Sequence, residues 1–219
     1  MINIQHLTKK YKKKYALQDI NLCLDPGKIY GLIGENGAGK TTLIKAILGF
    51  INYTGNISIE KYQNNSISYV PEVINFYDYL TGFESVKLIT KLQEKNFDEM
   101  IVNFRRYAKE IDYFDEEKLI KQHSKGNLRK LFLLQSFSAN FNLLLLDEPF
   151  SGLDPIVTEK MKKLFINKKK ETTILLSTHL FEVAKTICDE MIFIKSGKIL
   201  CQISKASFSE INLVQLYNE

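Results

Sequence analysis

Ile29-Tyr30-Gly31-Leu32-Ile33-Gly34-Glu35-Asn36-Gly37-Ala38-Gly39-Lys40-Thr41-Thr42-Leu43-Ile44 decides the fold. The run Ile29–Ile33 is apolar without polar alternation, the pattern of a strand buried on both faces. Gly34 to Thr41 then fits the eight-position phosphate-loop pattern, with Gly39-Lys40-Thr41 at its end. Beyond it Leu43, Ile44, Ile47 and Leu48 fall on one side of a helix that stops at Gly49. Strand, glycine loop and helix are the context that the loop's chemistry requires. Glycines let the backbone curl closely around phosphate oxygens. The amides of Gly34, Asn36, Gly37, Ala38 and Gly39, and the positive end of a helix beginning near Lys40, then all face the anion. Lys40 reaches the β- and γ-phosphates, the Thr41 hydroxyl is the expected Mg²⁺ ligand, and Thr42 caps the helix or contacts the α-phosphate.

Outward from this stretch the chain alternates between strands and helices. Ile2-Asn3-Ile4-Gln5 and Ile20-Asn21-Leu22-Cys23-Leu24 read as strands, with Asp25-Pro26-Gly27 turning into the buried run. Residues 53–59 and 67–70 read as further strands, and Thr81-Gly82-Phe83-Glu84 is a capping box. The region from about 78 to 139 is helical in pattern. Residues 143–146 form a second buried run, 154–170 a helix, and 172–176 a β-branched strand. A hairpin over 191–194 and 198–203 turns at Ser196-Gly197, and Ser207-Phe208-Ser209-Glu210 starts a last helix. The sum is an α/β chain with a helical insertion.

Leu143-Leu144-Leu145-Leu146-Asp147-Glu148 places two acids at the end of its apolar run. Alone, such a pair reads as a solvated strand exit. Beside a phosphate loop it reads as the second half of a nucleotide-hydrolysing site, with Asp147 holding Mg²⁺ through water and Glu148 polarising the water that attacks the γ-phosphate.

Composition sets the outer limits. The 219 residues are 45% hydrophobic and 25% charged, with 30 basic against 25 acidic side chains, as in an ordinary globular chain with a slight basic excess. The richest apolar stretch, 131–146, is broken by Gln135, Ser136, Ser138, Asn140 and Asn142, so no span crosses a bilayer. The lysines near the start follow rather than precede an apolar segment, which argues against a secretory signal and for the cytoplasm. Cys23, Cys188 and Cys201 lack paired spacing and read as reduced thiols, while Lys168-Lys169-Lys170 reads as a solvated helix end.

With these motifs in this order, the chain resembles the ATP-binding subunits of ABC transporters over nearly its whole length, most closely the bacterial exporter type. Ser151-Gly152-Leu153-Asp154 looks like the D-loop that follows the catalytic glutamate, and Ser177-Thr178-His179 like the switch histidine. Tyr11 lies where the family stacks an aromatic ring on adenine. The signature loop, usually Leu-Ser-Gly-Gly-Gln, stands here as His123-Ser124-Lys125-Gly126-Asn127, and Glu72 stands where the family generally has a metal-touching glutamine. Ser124 and the amides near Gly126 would present a second anion site at a helix start. His6 and His123 have no comparable context and read as structural or exposed.

The resemblance implies an α/β P-loop NTPase core with a mixed sheet, an N-terminal antiparallel β region and an inserted α-helical subdomain. It implies one domain over 1–219, with the core at 1–77 and 140–219 and the helical part at about 78–139. The implied cofactors are ATP and Mg²⁺. The implied partners are a transmembrane permease on a separate chain and a second cassette, in a homodimer or heterodimer closed by ATP, at the inner face of the cell membrane. Two rival readings differ in class. A soluble ABC-type ATPase acting on nucleic acid or ribosomes calls for paired cassettes or a long coiled coil; this sequence has one phosphate loop and no sustained heptads between Thr42 and Ser124. No nucleic-acid partner is expected. A weakly hydrolysing regulator is the other reading, since Glu72 and the altered signature both touch turnover.

Overall fold

A computed structural model describes residues 1–59 and 67–210. In chain order these form β1 (Ile2–Tyr11), β2 (Lys14–Leu24), β3 (Ile29–Ile33), α1 (Lys40–Ile47), β4 (Thr54–Ile59), β5 (Ile67–Val70), α2 (Gly82–Leu92), α3 (Phe97–Glu110), α4 (Lys125–Ser138), β6 (Leu143–Asp147), α5 (Pro155–Lys168), β7 (Thr173–Thr178), α6 (Phe181–Ile187), β8 (Glu190–Lys195) and β9 (Lys198–Ser204). Short 3-10 helices cover Ile120–Gln122 and Lys205–Glu210. The capping expected at Ser207 is therefore replaced by a 3-10 turn, and the remainder of that expected helix lies outside the described residues. Contacts divide the chain into two compact units, Met1–Tyr62 with Thr173–Glu219, and Gln63–Thr172.

In the first unit β3 lies between β7 and β8, parallel to both, and β9 returns antiparallel to β8. Every residue of β3 and β7 is buried, as continuous apolar runs require. Ser196 and Gly197 turn β8 into β9 with φ of 49° and 78°, the left-handed pair that a two-residue hairpin needs. A separate antiparallel sheet has the order β2-β1-β4. Here β1 runs on past Gln5, because an irregularity between Ile4 and Leu7, with His6 at φ 51°, returns Leu7 to the buried face after Ile2 and Ile4. The exposed His6 is paired with Asp19 at 2.8 Å.

In the second unit β5 and β6 pair in parallel, Val70 opposite Leu146. The helices start where their side chains cap them. Thr81 and Glu84 complete the capping box of α2, with bonds of 3.1 and 2.8 Å. Asn96 caps α3, Ser124 caps α4 and Asp154 caps α5 ahead of Pro155. Phe137, Phe150 and Phe165 pack together, with ring centroids 4.8 and 5.1 Å from Phe165. Lys168 departs from the solvated end expected of it: it is buried, with its ammonium beside Glu171, while Lys170 is exposed.

Candidate functional site

In the first unit the glycine loop leaves the C-terminal end of β3. Ile33 pairs with Thr178, so Gly34 and the exposed His179 leave neighbouring strand ends. Ala38 N–H donates to the Glu35 carbonyl at 3.1 Å, closing the loop's turn. Lys40, only 6% exposed, folds its ammonium into the loop and donates to the carbonyls of Gly34 at 2.6 Å and Glu35 at 3.2 Å. A buried cation thus lies inside the arc at the start of α1, where the helix's positive end adds to it. No side chain caps that helix, since Gly39 takes the cap position at φ 115°. Asn36 and Gly37 are exposed, Ala38 is buried, and Thr41 and Thr42 are half-buried in the first turn.

Two neighbours brace the loop from behind. A Cβ on Gly39 would stand 2.7 Å from the Ala16 carbonyl oxygen, so β2 leaves room for glycine only. Gly197, in the β8–β9 turn, donates its N–H to Ala38 O at 2.8 Å and accepts from Gln18 N–H at 2.7 Å. On the front, Gly37 has φ 83° and a Cβ there would meet nothing within 4 Å. The loop is therefore a cradle with an open mouth, a rigid back and a lysine within, which suits a phosphate chain. Tyr11 lies at the end of β1, 47% exposed, with Lys9 Nζ 4.8 Å from its ring centroid.

In the second unit Asp147 is 1% exposed and Glu148 5% exposed. Glu148 takes φ 48°, a left-handed conformation unfavourable for a side-chain-bearing residue, and its carbonyl accepts from Ser151 N–H at 3.1 Å. Since Val70 pairs with Leu146, the Pro71-Glu72 segment and the Asp147-Glu148 pair leave adjacent strand ends. Glu72 is exposed. On β5, burial pushes the Tyr69 phenol up to about 12, and the carboxylates of Asp147 and Glu72 add to that rise.

Arg129, on α4, was not singled out by any sequence pattern. It is 5% exposed and donates Nη1–H to Pro71 O at 2.6 Å and Nη2–H to Glu72 O. Burial lowers the pKa of its guanidinium, while the carboxylates of Glu72, Asp147 and Glu148 act to raise it. It lines a cavity of about 270 Å³ with Glu72, Lys125 and Gly152. Exposed Ser124 accepts Asn127 N–H at 3.1 Å, and a Cβ on Gly126 would stand 2.9 Å from Gly152 O. Asp154 accepts Val157 N–H at 2.9 Å, and that bond holds its carboxyl below the usual range, with Lys130 assisting.

Residues 17–151 match the family model described as ABC transporter. The chain belongs to the ABC transporter family. An ABC transporter ATP-binding protein of Methanocaldococcus jannaschii is 34% identical over 207 residues, covering 90% of this chain and 75% of the relative. The lantibiotic transport ATP-binding protein SrtF of Streptococcus pyogenes is 30% identical over 225 residues, covering 100% of this chain and 96% of that one. A solved ATP-binding subunit of an ABC transporter superposes with TM-score 0.89 at 27% identity, over 100% of this chain and 98% of its own.

This ABC transporter ATP-binding subunit is an ATPase with the P-loop NTPase fold, a mixed sheet and an N-terminal antiparallel sheet. The candidate metal donors are all oxygens: the Thr41 hydroxyl in one unit, and the Asp147 and Glu72 carboxylates in the other. Among the described residues no group of three or more His, Cys, Asp and Glu side chains forms a complete cage. Taken unit by unit, such oxygen donors are of the kind that suits Mg²⁺, an ion commonly held through one or two carboxylates plus substrate phosphates. Arg129 escaped the sequence reading because an arginine between Leu128 and Leu131 resembles any charged residue on an amphipathic helix.

Proposed function

We propose that this cassette binds MgATP, hydrolyses it and powers export by a permease on a separate chain. The observation that carries the reading is the buried Lys40 inside a glycine cradle whose mouth at Gly37 is open. In this reading the amides of Gly34, Asn36, Gly37, Ala38 and Gly39 grip the phosphates, and Lys40 exchanges its carbonyl partners for β- and γ-oxygens. Thr42 supports the α-phosphate and Tyr11 stacks on adenine. Glu148 takes a proton from the attacking water as the bond between the γ-phosphorus and the leaving ADP oxygen breaks, with His179 ordering that water. Thr41, Glu72 and Asp147 would offer oxygens to Mg²⁺, which would supply charge neutralisation at the phosphate oxygens when bound.

Ser124, Gly126 and Asp154 serve the interface of a dimer, in which each signature loop closes on the ATP of the other cassette. The partner cassette is identical or a close relative. The chain acts as one ABC ATPase domain, with the helical subdomain at about 78–139 set into a core of 1–77 and 140–219. Membership of the ABC transporter family supports a separate permease and a peripheral, cytoplasmic place at the membrane's inner face; among the described residues no helix is long and apolar enough to cross a membrane. Full-length similarity to a protein named for lantibiotic transport supports drugs, peptides or similar solutes as cargo. Co-purification with the permease tests this directly: ATP hydrolysis stimulated by a peptide antibiotic supports export. A permease-bound complex indifferent to every such solute refutes the cargo.

A further inference from the structure

The loop His123-Ser124-Lys125-Gly126-Asn127 is fastened at both ends by the segment that precedes it. At one end the His123 ring stacks on Tyr113, centroids 6.0 Å apart and planes at 22°, and its Nε2 lies 2.9 Å from Tyr113 Oη. The other ring nitrogen is 3.0 Å from Leu119 O, which can only accept. Nδ1 therefore carries the proton, and Nε2 accepts from the Tyr113 hydroxyl. Tyr113 is itself fixed: it is 3% exposed, its ring meets the edge of Phe104, and a Cβ on Gly82 would stand 2.8 Å from its hydroxyl. At the other end Asn127 Nδ2 donates to Asp115 Oδ2 at 2.5 Å, while Lys118 holds Asp115 Oδ1 at 2.8 Å.

These bonds determine the pose of Ser124. Its Oγ accepts the Asn127 N–H, so the hydroxyl proton remains to donate outward. Capping of α4 is satisfied by that bond alone and does not call on Tyr113 or Asp115. The two positions at which this loop departs from the family's usual sequence and meets a side chain, His123 and Asn127, are the two that are tied down.

We propose that Tyr113 and Asp115 are positioning residues for ATP hydrolysis, holding the signature loop in the single pose that presents Ser124 to a nucleotide bound by a second copy of the chain. The inference rests on the reading that Ser124 completes a partner's site. Asp115 supplies the stronger tie, because its bond to Asn127 is charge-assisted.

The test uses the full chain with Glu148→Gln, and compares it with the same protein carrying Asp115→Ala, Asp115→Asn or Tyr113→Phe. Sedimentation with MgATP reads pairing, a fluorescent ATP analogue reads nucleotide affinity of the single subunit, and each substitution in the Glu148 protein reads kcat and KM. Asp115→Ala should weaken ATP-driven pairing and lower kcat by about tenfold, the factor set by one hydrogen bond to a charged group, with nucleotide affinity and KM within about twofold. Asp115→Asn, which still accepts from Asn127 but without the charge, should recover part of both, and Tyr113→Phe should give a smaller loss of the same kind than Asp115→Ala. If the Glu148→Gln parent never pairs in MgATP, the dimer reading falls and takes this inference with it. If the parent pairs and Asp115→Ala and Tyr113→Phe pair and turn over as well as it does, only the positioning assignment is overturned. Loss of nucleotide affinity in step with kcat would also overturn it, by showing a merely structural role.

Discussion

Gly37→Ala separates the conformational work of the phosphate loop from its ligand work. A Cβ on Gly37 meets no protein atom within 4 Å, so the only folding penalty is the left-handed backbone at φ 83°, about 1–2 kcal/mol. Gly39→Ala meets the same backbone penalty at φ 115° and drives its Cβ to 2.7 Å from a main-chain oxygen, adding about 1–3 kcal/mol of overpacking. Urea midpoints without nucleotide should therefore fall modestly for Gly37→Ala and roughly twice as far for Gly39→Ala. Nucleotide affinity should not follow that order. If the phosphates lie against Gly37 as proposed, its added methyl competes with them for that open space, so calorimetry should show at least about a hundredfold loss of ATP affinity, roughly 2.8 kcal/mol, beyond the small stability cost. Parental ATP affinity in Gly37→Ala would refute the placement of the phosphates. Equal destabilisation by the two substitutions would refute the geometric distinction between the glycines.

Glu148→Gln should keep ATP binding, abolish turnover and accumulate a dimer; unchanged hydrolysis would remove Glu148 as the base. Lys40→Ala should weaken ATP binding, and normal affinity in a filter assay would count against the loop. Arg129→Met should lower the unfolding free energy read from urea titration by about 1–3 kcal/mol, because it strips the donors from the Pro71 and Glu72 carbonyls, whereas Arg129→Lys should lose less. Stability should also fall at high pH: burial lifts the phenols of Tyr30 and Tyr69 from 10.0 to about 12. The unfolded chain therefore releases these protons first, and the stability present below pH 10.0 is lost as pH rises towards 12. Urea midpoints measured across that range should decline, and Tyr30→Phe should flatten the decline.

What the sequence made legible follows from how local each cause is. The buried runs of β3 and β6, the glycine loop and the caps at Thr81 and Ser124 each depend on a few adjacent residues, so pattern suffices. The irregularity at His6 breaks the alternation that marks a strand, so pattern alone ends β1 at Gln5. Pattern does not mark α6, because Phe181–Ile187 is too short to show a helical period and has no capping side chain at Leu180. Lys168 was assigned to solvent because composition does not reveal a neighbouring stem's burial. Within the candidate site, motif residues could be read from spacing. Arg129, Tyr113 and Asp115 could not, since their roles lie in bonds to carbonyls and side chains that no local pattern specifies.

The brace behind the phosphate loop has a consequence for how the protein is made. Ala38 leans on Gly197, and Gly197 in turn on Gln18. A translating ribosome releases the loop and its helix long before it synthesises residue 197. Until that late turn emerges, the early half of the nascent polypeptide carries the glycine loop without the bond that backs Ala38.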